Sequence, residues 1–142
     1  ELTGLGNRRK ANARLDRLVP GDALMVLDLD HFKKVNDTYG HAEGDDVLRK
    51  LAGFLSRAPR ERDQAFRMGG EEFLIVLEGA GSGARIAADR LLQGWRFEEP
   101  ITTFSAGVCT HEEGMSPDET LERADAALYA SKNGGRDRVT VA

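Results

Sequence analysis

Two short stretches of the chain are apolar at nearly every position: Ala23-Leu24-Met25-Val26-Leu27, which runs into Asp28, and Phe73-Leu74-Ile75-Val76-Leu77, which follows a pair of glutamates. A strand with one wet face alternates apolar and polar residues, so a strand apolar on both parities has both faces covered or one face taken by a partner. Both stretches therefore read as central strands. Around them the period lengthens to that of a helix. Residues 7–18 read as a basic amphipathic helix entered through Gly4-Leu5-Gly6. Residues 31–36 read as a short helix with Asp30 as its N-cap. Residues 45–55 place Val47, Leu48, Leu51, Phe54 and Leu55 on one helical stripe, and residues 83–95 do the same with Ala84, Ala87, Ala88, Leu91 and Trp95. Ser116-Pro117-Asp118-Glu119 is a capping box with proline at the first helical position; the helix it opens ends near Gly134-Gly135. Residues 64–68 and 71–77 read as a hairpin across Gly69-Gly70, because two glycines supply the positive φ of a primed two-residue turn. Residues 101–110 form a further strand and residues 139–141 an edge strand. Interleaved helices and strands with one hairpin imply an α/β (α+β) sandwich on an antiparallel or mixed sheet.

Composition narrows the class. A chain of 142 residues, 40% hydrophobic and 31% charged, suits one globular domain that buries a core without disulfides. The net charge of −4 argues against non-specific nucleic-acid binding, though local cations or a metal can still hold an anionic ligand. The one cysteine, Cys109, excludes an internal disulfide and a cysteine zinc site; it reads as a small core residue of a strand, which fits a cytoplasmic setting. No apolar run approaches the ~18 residues of a membrane span, so no membrane contact is expected of this domain. The opening residues, without an initiator methionine, suggest a domain excised from a longer chain.

The candidate chemistry is acidic. By alternation Asp28 shares a face with Leu24 and Val26, Glu71 with Phe73 and Ile75, and Glu72 points the other way. If the first strand lies beside the hairpin, Asp28 and one of the two glutamates converge. Carboxylates held together repel, and one takes up a proton unless a cation sits between them. Such hard oxygen donors suit Mg²⁺ or Mn²⁺. On spacing alone, solvated glutamates at a hairpin tip explain the residues as well. A calcium loop at "DLDHFKKVNDTYG" fits worse, because Phe32 and Lys33 stand where an oxygen ligand and a glycine belong.

Four motifs in order carry a family resemblance: "LTGLGNRR", "DLDHFKKVNDTYGHAEGDDVL", "RMGGEEF" and "RADAALYASKNGGR". Together they resemble the GGDEF domain of diguanylate cyclases over essentially the whole of residues 1–142. The resemblance implies a mainly antiparallel five-stranded sheet surrounded by helices, like the palm of nucleotidyl cyclases and polymerases, with the GG hairpin at the active site. It implies condensation of two GTP molecules into cyclic di-GMP and two pyrophosphates. It implies two Mg²⁺ or Mn²⁺ ions held by Asp28, the Leu29 carbonyl, Glu71 and Glu72, with Glu71 also the base for the attacking 3′-hydroxyl. Asn36 and Asp45 match the guanine readers, and the chemistry agrees: a carboxylate accepts from guanine N1–H and N2–H₂, whereas adenine offers no donor at N1. His41, Gly69 and Gly70 match substrate-proximal positions, and Lys33, Lys132 and Arg136 match phosphate-contacting cations. Phe32 and Tyr39 read as packing residues. "RERD", residues 60–63, with Arg90 further on, resembles the inhibitory site where product binds, through Arg60, Asp63 and Arg90. The expected partners are GTP, cyclic di-GMP, a second copy in a catalytic homodimer, and an N-terminal sensory or dimerisation domain. A catalytically silent domain serving as a GTP or cyclic di-GMP receptor is the rival reading; the intact acidic and guanine positions argue against it.

Overall fold

The structure, a computed structural model, describes residues 2–142. In chain order its elements are α1 (Arg8–Leu15), β1 (Ala23–Leu29), α2 (Phe32–Tyr39), α3 (His41–Arg57), β2 (Gln64–Gly69), β3 (Glu72–Leu77), α4 (Ala84–Phe97), β4 (Phe104–Thr110), α5 (Pro117–Asn133) and β5 (Val139–Val141). They build one sheet in the order β2-β3-β1-β4-β5. β1 and β3 are interior strands, as their two apolar parities require. β1 pairs antiparallel with β3 and with β4, β2 pairs antiparallel with β3, and only the β4–β5 pair is parallel.

Alternation sorts the side chains into two cores. Met25, Leu27, Phe73, Ile75, Ala106 and Val108 pack with Val47, Leu51 and Leu55 of α3 and Leu91 and Trp95 of α4. Leu24, Val26, Leu74, Val76 and Cys109 pack on the other face with Ala11 and Leu15 of α1 and Ala124 and Leu128 of α5. Cys109 is thus a buried strand residue. Each fully buried leucine or aromatic side chain contributes about 1.5–3 kcal/mol relative to exposure. α5 rides unusually close on β4, because a Cβ on Gly107 would lie 2.2 Å from both the Ala124 carbonyl oxygen and the Leu128 nitrogen.

Several local expectations are corrected. The hairpin corner lies one residue later than Gly69-Gly70: Gly69 closes β2 opposite Glu72, the register slips between Arg67 and Gly69, and Gly70 and Glu71 make the turn. Glu71 is therefore a turn residue and not the start of β3. α3 begins at His41, four residues before Asp45, because Gly40 at φ 92° ends α2 and starts α3 without a break. β4 begins at Phe104, three residues after Ile101. Asp30 does not cap α2. His31 holds that position at φ 55° with no side-chain cap, and Asp30 is wholly buried, bonded to Thr103 and Ser105. Tyr39 is not a packing residue: it is 61% exposed, whereas Phe32 packs against the core.

Candidate active site

The acidic residues meet where β1 and β3 end together. Asp28 lies directly opposite Glu72 in the antiparallel register, and the Leu29 N–H donates to the Glu71 carbonyl at 3.3 Å. Opposed residues of a ladder share a face. Asp28 and Glu72 therefore project on the α5 side, and Glu71 stands beside them in the turn. From the last turn of α5, Lys132 reaches Asp28 with its Nζ 3.3 Å from Oδ2. The other oxygen, Asp28 Oδ1, is buried and has no hydrogen-bond partner. Burial pushes the Asp28 carboxyl up to about 6, against the pull of Lys132 and with added repulsion from Glu71 and Glu72. Burial also raises Glu72, with Asp125 and Glu71 repelling it and Arg8 and Lys132 drawing it down.

An orphaned buried carboxylate oxygen beside two further carboxylates is short of positive charge, and a hard divalent cation fits that donor set. Among the described residues no three His, Cys, Asp or Glu side chains are gathered into a ready-made cluster. An ion here would need oxygens from the backbone and from a ligand as well.

The glycine corner is bare for a backbone reason. Gly69 and Gly70 stand at φ 146° and 53°, and a Cβ on either would meet nothing within 4 Å. Arg67 pins the corner through Nε and Nη2, 3.0 and 2.8 Å from the Gly70 carbonyl. The "LTGLGNRR" segment lies alongside. Gly6 bridges to Phe66, the Gly6 carbonyl accepts from Arg67 N–H at 2.8 Å, and Arg8 Nε donates to the Met68 carbonyl at 3.2 Å. A cavity of about 410 Å³ remains between Leu5, Asn7, Arg8 and residues Met68 to Gly70.

The two expected guanine readers come together at the α2–α3 corner. A Cβ on Gly44 would fall 1.8 Å from Asn36 Oδ1, so the missing side chain at Gly44 is what lets the Asn36 amide lie against α3, one residue before Asp45. His41, the first residue of α3, is exposed. The expected phosphate cations differ in situation. Lys132 is engaged with Asp28. Lys33 is 91% exposed and pairs with Asp37 at 2.9 Å, not with the acidic strand ends. Arg136 follows α5 at φ 66°, and its guanidinium makes no hydrogen bond or ion pair among the described residues.

Arg60 and Asp63 lie elsewhere, at the far end of the β2–β3 hairpin. Arg60 holds Asp63 through Nε–Oδ2 at 3.0 Å and Nη2–Oδ1 at 2.8 Å, and it also donates to the Glu78 carbonyl at 2.6 Å. The Asp63 side chain is 1% exposed, and that pairing raises the Arg60 guanidinium further. Arg90 is exposed on α4, with no hydrogen bond or ion pair to either among the described residues. Sequence reasoning missed Asp125 and Arg8 as neighbours of Glu72. Both lie inside quoted motifs, "RADAALYASKNGGR" and "LTGLGNRR", which was the available signal.

The family model described as "Diguanylate cyclase, GGDEF domain" matches residues 1–138. The chain is 41% identical to the diguanylate cyclase DgcP of Pseudomonas aeruginosa over 99% of its own length and 23% of the relative's. It is 37% identical to the diguanylate cyclase DgcS of Shewanella oneidensis over 96% of its own length and 50% of the relative's. The structure superposes with a TM-score of 0.90 on the coiled coil and GGDEF domain of DgcB from Caulobacter crescentus in complex with c-di-GMP, at 35% identity, covering 99% of this chain and 83% of that one. The chain therefore belongs to the GGDEF domain family of diguanylate cyclases, and it spans half or less of the length of those two curated relatives.

Proposed function

We propose that this domain is the catalytic unit of a diguanylate cyclase. It condenses two GTP molecules into cyclic di-GMP, and each 3′-oxygen attacks the α-phosphorus of the other nucleotide with release of pyrophosphate. The observation that carries the reading is Asp28 Oδ1, buried without a partner next to Glu71 and Glu72 in a member of this family. Asn36 and Asp45 receive the guanine edge. Lys132, Arg136 and Lys33 take the triphosphate, with Lys132 leaving Asp28 for the nucleotide, and His41 and the bare Gly69-Gly70 corner border the substrate. Glu71 accepts the proton of the 3′-hydroxyl, and Glu72 supports it. Mg²⁺ or Mn²⁺, two per site and held by Asp28, the Leu29 carbonyl, Glu71 and Glu72, would offset the triphosphate charge and favour ionisation of the hydroxyl.

One domain holds one GTP, so the reaction needs two copies facing across a two-fold axis. Arg60, Asp63 and Arg90 form the site for inhibition by product; guanidinium groups stack on guanine and pair with phosphate. The relatives' greater length supports an N-terminal sensory or dimerising region, and a GTP-consuming reaction places the domain in the cytoplasm. No helix among the described residues is long and apolar enough to cross a membrane.

The test is incubation with GTP and Mg²⁺, read by mass spectrometry, for the domain alone and for a forced dimer. Cyclic di-GMP is expected from the dimer; binding of GTP or cyclic di-GMP without product would convert the reading to that of a receptor. Glu71→Gln is expected to abolish product while circular dichroism stays unchanged.

A further inference from the structure

The turn that carries Arg136 is held from two sides by residues that the proposed reaction does not use. Arg136 and Asp137 are consecutive non-glycine residues at φ 66° and 51°, a region that side-chain-bearing residues seldom enter and that persists only where the surroundings over-determine it. From inside, Asp30 Oδ2 accepts the Asp137 N–H at 3.1 Å. Asp30 is itself immobilised: Thr103 Oγ1 and Ser105 Oγ each donate to it at 2.6 Å, and its own N–H donates to the Thr103 carbonyl at 2.8 Å. From outside, Arg96 in the last turn of α4 grips the same residue twice. Its Nε donates to Asp137 Oδ1 at 3.0 Å and its Nη2 to the Asp137 carbonyl at 2.8 Å. Arg136 adds its own N–H to the Ser131 carbonyl at 2.9 Å and accepts Arg138 Nε at 3.0 Å.

The N–H and carbonyl groups of both Arg136 and Asp137 are thus engaged, while the Arg136 guanidinium has no protein partner among the described residues. Asp30 stands two residues after Asp28, just past the end of β1, and Lys132, in the last turn of α5, stands four residues before Arg136. The grips therefore tie the free guanidinium to the end of the sheet that carries the acidic site. The geometry points to Arg96 and Asp30 as positioning residues for Arg136: they hold the strained turn so that its guanidinium is presented, pre-organised, to the β- and γ-phosphates of the bound nucleotide. This rests on the reading of the site as a GTP site. An exposed ion pair such as Arg96–Asp137 adds little to stability. Its two-point geometry instead fixes direction, which is what a phosphate contact needs.

The test is calorimetric titration of the domain with GTP and with GMP in Mg²⁺. Arg96→Ala is expected to weaken GTP binding about tenfold and to leave GMP binding and thermal stability unchanged; in an Arg136→Ala background it adds nothing further, since contacts acting through one group are not additive. Arg96→Lys, which keeps the charge but not the two-point grip, is expected to lose most of the same affinity. Asp30→Asn, unable to accept the Asp137 N–H through the replaced oxygen, repeats the loss from inside the fold. Unchanged GTP affinity in Arg96→Ala, equal loss for GTP and GMP, or full additivity with Arg136→Ala would overturn the assignment and leave the cyclase reading standing. Failure of the unaltered domain to bind GTP at all would overturn both.

Discussion

Asp28 shows how one residue can carry opposite demands. Its carboxyl is raised to about 6 by burial, with the two glutamates adding to the shift. In the unfolded chain it ionises near its ordinary value of 3.8, while the folded domain holds the proton up to about 6. Between those values the folded state binds more protons, so the carboxyl costs stability as pH rises from about 4 through 6, and the full cost remains above that. Asp28→Asn is therefore expected to stabilise the metal-free domain by ~2 kcal/mol at pH 7.5, with the difference vanishing near pH 4. Melting curves at the two pH values check it; a destabilised variant at pH 7.5 would mean that the Lys132 pair outweighs the burial. Gly44 makes a second residue-scale test. A methyl group there would occupy the place of Asn36 Oδ1, the movable end of a side chain, and press on Phe32 Cζ at 3.3 Å, while alanine is the better helix former. These opposed effects are expected to leave the melting temperature of Gly44→Ala close to that of the unaltered domain, while GTP binding weakens about tenfold, because the displaced amide no longer meets the base in the proposed site. Calorimetry beside a thermal melt separates the two effects.

At the scale of elements, α5 is set by its closest approach to the sheet. Because Gly107 faces helix backbone and not a yielding side chain, Gly107→Ala must push α5 off β4. It is expected to cost about 3 kcal/mol in chemical denaturation. Lys132 would withdraw from Asp28 with it, so the variant should bind GTP weakly even where it is folded. The same scale explains what could be read in advance. β1 and β3 were legible as interior strands because burial on both faces leaves no polar parity, and the capping box at Ser116 marked the start of α5. The hairpin corner was misplaced by one residue because a register slip after Arg67 leaves no trace in alternation. The start of α3 was missed because Gly40 joins two helices without an N-cap side chain. Asp30 was misread because an aspartate before a helix is ordinarily a cap, whereas its actual partners lie 73 to 107 positions away in sequence. The residues proposed for metal, guanine and phosphate were nameable only because four motifs stood in order. No periodicity could have joined Asp28 to Lys132, 104 positions apart in the sequence.

At the scale of the whole molecule, the proposed chemistry is incomplete in one copy. On that reading a single acidic strand end with one guanine corner accommodates one GTP, and the product needs two joined head to tail. Turnover per domain should then rise in proportion to domain concentration while copies meet by diffusion, and level off once they are tethered. A flexible tether supplies an effective concentration of roughly millimolar. Fusing the N-terminus to a parallel coiled coil is therefore expected to raise the rate at micromolar protein by a hundredfold or more, on the order of the ratio of those concentrations. The relative DgcB, whose coiled coil is joined to its GGDEF domain, supplies a design precedent. The measurement is pyrophosphate release across a dilution series, for the free and the fused domain. A free domain whose turnover per molecule does not change on dilution would show that one copy suffices, and the two-fold arrangement would have to be abandoned whatever the roles of Asp28, Glu71 and Lys132.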